Sequence, residues 1–169
     1  MKNKLIVILM LSLAACVYAQ DYETPAVMIE VNSGYALGII NYQDAIPVEI
    51  KFTTYTYKSF GFTAEAGVLL GDNISFHSFF GPTFFIINSA RIRLPLSLGL
   101  DVFLKDGNEA YLGAAGILSF HFVILKNLYA GINVSANYSF IGIEDKRNNT
   151  IGFYNNFYVK PTIGIGLQL

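Results

Sequence analysis

The 169-residue sequence has no tryptophan, a single cysteine and few ions. Only 14% of its residues are charged, against roughly 25% in an ordinary water-soluble domain. A wetted surface is hard to build from that set. The 11 basic residues do not outnumber the 12 acidic ones, which excludes the cationic footprint of a nucleic-acid binder. After the first 15 residues there is no run of ~18 apolar residues, so a membrane-crossing helix is not expected. Metal-ligand spacings, phosphate-cradling glycine loops and nucleophile elbows are all missing, so no cofactor, metal or catalytic residue is assigned.

What is present is hydrocarbon and aromatic rings. The chain is 53% hydrophobic, with 14 Phe and 11 Tyr. Its first residues form a targeting segment: Lys2 and Lys4, then an apolar run from Leu5 to Ala15. Two processing readings compete. Val17-Tyr18-Ala19 is a small-x-small site that makes residues 1–19 a signal peptide and 20–169 the mature domain. Leu13-Ala14-Ala15-Cys16 resembles a lipobox, which would acylate Cys16. Cutting after Ala19 removes the only cysteine, and with Lys2 and Lys4 gone the mature net charge is −3.

The clearest stretch is Arg91 to Leu104, RIRLPLSLGLDVFL. Ile92, Leu94, Leu96, Leu98, Leu100, Val102 and Leu104 recur at every second position, which is a strand with one greasy face. The same period runs through most of the chain. It predicts strands at 27–39, 48–57, 60–70, 74–87, 91–104, 110–124, 128–140 and 157–169. Between them lie a loop at 41–47, turns at 58–59, 71–73, 88–89, 105–108 and 125–127, and a long polar loop at 144–155. About eight strands follow one another in hairpin order.

Volume decides which face points outward. An eight-stranded barrel has an interior just wide enough for its own side chains. The Leu, Ile, Val and Phe set does not fit there, whereas the Gly, Ser, Asn, Ala and Thr set does. The expected fold is therefore all-β: a closed, up-and-down antiparallel transmembrane barrel with its apolar face toward lipid. A soluble sandwich or lipocalin-like barrel is the alternative. It would need an outside of Gly, Ser and Asn, and the Gly-x-Trp signature of lipocalins is absent.

From about Pro25 to the final strand PTIGIGLQL the pattern resembles the small bacterial outer-membrane β-barrels of the OmpX and OmpA-transmembrane type. That family usually ends on Phe or Trp; this chain ends on Leu169. The resemblance implies an outer-membrane location, contact with membrane lipid, recognition of the C-terminal strand by barrel-assembly machinery, and loops 41–47 and 144–155 facing host or surface ligands. It implies a non-enzymatic structural or surface-interaction role. The alternatives are a narrow passage or lateral portal for a small or hydrophobic solute and, more distantly, an enzyme modifying lipid A.

Nine charged or ionisable residues fall on the inward phase: Glu30, Lys51, Glu65, His77, Arg91, Arg93, Asp101, His121 and Lys160. Burial forces them to pair, so they are expected to form a polar plug. Folding about Ser89 sets His77 across from Asp101, and folding about Gly107 sets Arg93 across from His121. Pro82 and Pro95 interrupt neighbouring strands, each removing a ladder donor. They mark either a pair of bulges or a strand seam opening toward lipid.

Overall fold

The computed structural model describes residues 25–38, 45–57, 59–71, 74–105, 109–144 and 150–169. The leader and its cleavage site lie outside these residues. The strands are β1 (Val27–Gly34), β2 (Leu37–Gly38), β3 (Ile46–Tyr57), β4 (Phe60–Leu70), β5 (Ile74–Asn88), β6 (Ile92–Lys105), β7 (Glu109–Leu125), β8 (Leu128–Glu144) and β9 (Thr150–Gln168). All pairings are antiparallel between neighbours, and β1 also pairs with β9, from Met28↔Gln168 to Gly34↔Thr162. That last ladder closes the sheet. The short β2 continues β1 in the same register along β9, so the barrel has eight walls.

Alternation drives the closure. Along β3, Val48, Ile50 and Phe52 are exposed while Glu49, Lys51 and Thr53 are buried. The same split holds along β6, where Leu98 and Leu100 face out and Ser97 and Asp101 face in. A belt of exposed Leu, Ile, Val and Phe therefore surrounds a polar centre. Such a surface is stable against lipid chains rather than water.

The interior is not wholly small and polar. At the end bearing the connections 39–44, 71–73 and 106–108, Ala36, Leu69, Phe103 and Tyr111 pack into a cap. At the other end, beside Leu169, Tyr55 stacks on Phe85 with ring centroids 4.1 Å apart. Tyr55 also points its hydroxyl at Met28 Sδ, 3.2 Å away. Phe79, Ala115 and Ile117 fill the wall between these ends.

Several expected boundaries move. The first strand is interrupted at Tyr35, where Ala36 bridges to Ala45. Ile46 and Pro47, expected in a loop, begin β3. The largest shift concerns 144–155, read as a polar loop. Strand β8 runs to Glu144 and β9 begins at Thr150, so only 145–149 connect them. A bulge between Ser139 and Ile141 breaks the period there, yet pairing resumes at Ile141↔Phe153 and continues to Glu144↔Thr150.

Candidate functional site: the plugged lumen and the raised hairpin

Each strand that contributes a charge does so at a position between outward-facing neighbours, so the pleat fixes its direction. In the middle of the lumen Glu30 on β1 is opposite Lys51 on β3, with Oε2 and Nζ 3.1 Å apart. His121 Nε2 lies 3.0 Å from the same Glu30 oxygen. The Asn133 amide donates to Glu30 Oε1 at 2.8 Å and to Asn32 at 3.0 Å. Its carbonyl oxygen accepts from Lys51 at 2.6 Å. These groups come from β1, β3, β7 and β8, so the network ties walls that are not neighbours.

A second group sits toward the capped end. The Lys160 ammonium on β9 contacts Glu49 on β3 and, at 2.8 Å, Glu65 on β4. His77 Nε2 lies 2.6 Å from Asp101 Oδ1, and its Nδ1 lies 3.4 Å from Glu49 Oε1. The Tyr158 hydroxyl donates to Asp101 Oδ2 at 3.2 Å. Glu49, Glu65 and His77 approach one another closely enough to hold a metal ion. The Lys160 ammonium already supplies positive charge at both glutamates.

A row of hydroxyls crosses four strands: Thr53 to Thr63 at 2.9 Å, Thr63 to Thr83 at 2.7 Å and Thr83 to Ser97 at 2.8 Å. Near Leu169, Arg93 donates to Gln168 Oε1, and the Gln168 amide donates to the Lys126 carbonyl. Every polar residue in this plug is nearly inaccessible to solvent.

Eight of the nine expected lumen residues are buried together. Arg91 is not: it is exposed, ahead of β6, in the turn that Ser89 closes by bonding to Ile92. That turn is wider than one centred on Ser89. With a bulge at Phe85/Ile87, it shifts the register by two residues. His77 is therefore opposite Phe103, and Asp101 opposite Phe79. The two side chains still meet, along the diagonal. Arg93 is directly opposite His121, the arrangement expected from folding about Gly107.

The prolines do not share a seam. Phe85 donates to Ser59, just ahead of β4, so by alternation Pro82 turns its missing donor toward β6. Val123 donates to Arg91, so Pro95 turns its own toward β7. Each ladder has a gap at its proline, between Phe80↔Leu100 and Thr83↔Ser97 in one, and between Arg93↔His121 and Leu96↔Leu118 in the other. The β5 and β6 backbones stay in contact beside Pro82, where a Cβ on Gly81 would lie 2.6 Å from Gly99 Cα.

The outer rim is uneven. Strand β9 pairs with β8 almost throughout, but its last partner on the other side among the described residues is Gly38, opposite Tyr158. Residues 150–157 thus continue β9 along β8, and no other described residue pairs with their far side.

This closed, eight-walled arrangement recurs in solved structures. Neisserial surface protein A matches with a TM-score of 0.59 at 11% identity, over 85% of this chain and 96% of that one. The N-terminal β-barrel domain of Pseudomonas aeruginosa OprF matches with a TM-score of 0.62 at 10% identity, over 86% and 98%. The fold is that of a small outer-membrane β-barrel. Ail, the attachment invasion locus protein of Yersinia pestis, is a further small barrel of this kind, with a TM-score of 0.52 at 13% identity over 87% of this chain and all of that one. No protein-family model matches the sequence, and no curated protein matches it.

Inspection of the alternation alone would have added Glu49, Asn133 and Ser97, which share the inward phase with their neighbours. The aromatic caps carry no such signal, because period two does not say which inward rings are large enough to fill an end.

Proposed function

We propose that this protein is a non-enzymatic outer-membrane barrel that works by contact at the cell surface. The end of the β8–β9 hairpin, whose far side has no partner among the described residues, supports this reading. The stretch TIGFYNNF, Thr150 to Phe157, carries neither charge nor proline, the usual guards of an open strand edge. An extended segment of another surface protein is the natural partner, since it would complete the ladder by backbone hydrogen bonds. With both barrel termini on the periplasmic side, the β8–β9 hairpin faces outward. The belt meets outer-membrane lipid, and the last strand presents itself to the assembly machinery.

A through-passage has less support, because ion pairs and hydrogen bonds occupy the middle and aromatic residues cap both ends. A lateral portal loses its motivating feature, since the two prolines weaken different ladders. Lipid chemistry gains nothing from Ser78 and His77, since Ser78 is exposed on the outer face and His77 is buried inside.

Two measurements test the reading. Planar bilayers containing the folded protein should stay silent; steady discrete openings would favour the passage instead. Bacteria displaying the protein should bind extended peptides from a surface-protein library. Phe157→Pro should abolish that binding while leaving heat-modifiable gel mobility intact, because odd-numbered residues of lower β9 point their N–H away from β8.

A further inference from the structure

We propose that Glu49, Glu65 and His77 form a three-ligand site for a divalent transition metal of the zinc class, and that the Lys160 ammonium occupies this site as a tethered substitute for the ion.

The ligands come from three consecutive strands. Glu49 on β3 and His77 on β5 are both opposite Gly67 on β4, so they lie in one row across the wall. A Cβ on Gly67 would lie 2.6 Å from Glu49 Cγ, so the glycine clears the space into which that side chain leans. Glu65 stands two residues along β4, on the same inward phase. His77 Nδ1 lies 3.4 Å from Glu49 Oε1 and 3.9 Å from Glu65 Oε1. A tetrahedral zinc ion with bonds of about 2.1 Å holds its ligands about 3.4 Å apart. One edge of the site matches that spacing and the other is slightly longer. One imidazole with two carboxylates suits zinc or cobalt, whereas magnesium and calcium take larger sets of oxygen ligands.

Three further observations point to a cation here. First, a positive group already sits where the ligand atoms converge. Lys160 Nζ, reaching in from β9, touches Glu49 Oε1, lies 2.8 Å from Glu65 Oε1 and 3.5 Å from His77 Nδ1. Second, the histidine is backed as a metal-bound imidazole is, by a carboxylate at its other nitrogen. Asp101 Oδ1 lies 2.6 Å from His77 Nε2, and the Tyr158 hydroxyl donates to Asp101 Oδ2. Third, Glu49 is buried, and its Oε2 has no hydrogen-bond partner among the described residues, which leaves a lone pair for an ion.

A divalent ion and an ammonium cannot share one point in a water-excluded interior, so the two compete. The wild-type barrel therefore closes over a cation of its own and excludes the metal. Truncating Lys160 exposes the three ligands to an ion of similar position and larger charge.

The full chain, refolded in detergent micelles with cobalt(II) and then desalted, provides the test. Lys160→Ala should retain cobalt in equimolar amount, with the visible absorption of a low-coordinate ion, and the wild type should retain almost none. Adding His77→Gln to Lys160→Ala should abolish retention. Zinc should slow the loss of the folded gel band in SDS for Lys160→Ala and leave the wild type unchanged. Absence of cobalt from folded Lys160→Ala, equal retention by the wild type, or retention that survives His77→Gln would each overturn the proposal. Should Lys160→Ala fail to fold without metal, zinc in the refolding buffer should restore the folded band. Failure under both conditions would also overturn it, because the ion would then not replace the ammonium.

Discussion

Lys160 on the closing strand reaches across the lumen to Glu65 on β4, Nζ to Oε1 2.8 Å, and contacts Glu49 on β3 with the same ammonium group. One side chain thereby compensates two carboxylates that precede it by some hundred residues. Lys160→Met should leave both acids buried without a permanent cation. The expected loss is about 3–5 kcal/mol, the cost of breaking a buried ion pair from one side. Urea titration of the barrel in lipid vesicles measures it; a loss below 1 kcal/mol would show that the glutamates are not held by charge.

Asn133 occupies the corresponding place in the central group, bonded to Glu30, Asn32 and Lys51. Asn133→Leu keeps similar bulk but removes every one of these bonds. Since two of the partners are ionised, the barrel should lose about 1.5–3 kcal/mol or more. Adding Ser119→Ala should cost less than the sum of the single changes, because both residues serve Lys51.

On the lipid side, Leu98 and Leu100 are 49% and 57% exposed on the outer wall, which decides their solvent in favour of hydrocarbon. Leu98→Arg should destabilise the inserted protein by about 2–4 kcal/mol if that residue lies near the bilayer midplane. Leu98→Phe should be nearly silent. A tolerated arginine would mean the belt is displaced from the membrane centre.

Gly81 and Gly99 face each other where β5 and β6 come closest. A Cβ at Gly99 would press on the Phe80 carbonyl and lie 2.7 Å from Gly81 Cα. Gly99→Val should therefore separate the strands at a backbone contact that no rotamer relieves. A cost of about 1–3 kcal/mol is expected, visible as a reduced folded fraction on unboiled gels.

The parts of the fold with an unbroken period of two were legible from residues alone. RIRLPLSLGLDVFL gives one strand with Leu98 out and Asp101 in, and the register that places Arg93 opposite His121 follows from the adjoining hairpin. Legibility fails where a single extra residue enters the ladder. The bulge at Phe85/Ile87 and the wide turn at Ser89 move Asp101 two positions from His77 and carry Arg91 out to solvent. The bulge near Ser139 hides β9 above Phe157, because Asn155 and Asn156 next to a charged connection read as loop. The ion pairs across the lumen join strands far apart in sequence, and their partners depend on barrel diameter and stagger. Neither quantity is written in any one segment.

The position of the compensating groups also bears on biogenesis. Among the barrel strands β9 is translated last, yet it brings Lys160 to Glu49 and Glu65, Tyr158 to Asp101 and Gln168 to Arg93. Until it docks, the earlier hairpins hold charges that only water can solvate. A chain halted before Tyr158 thus lacks every β9 group that meets Glu49, Glu65, Asp101 and Arg93, and its lumen stays open to water.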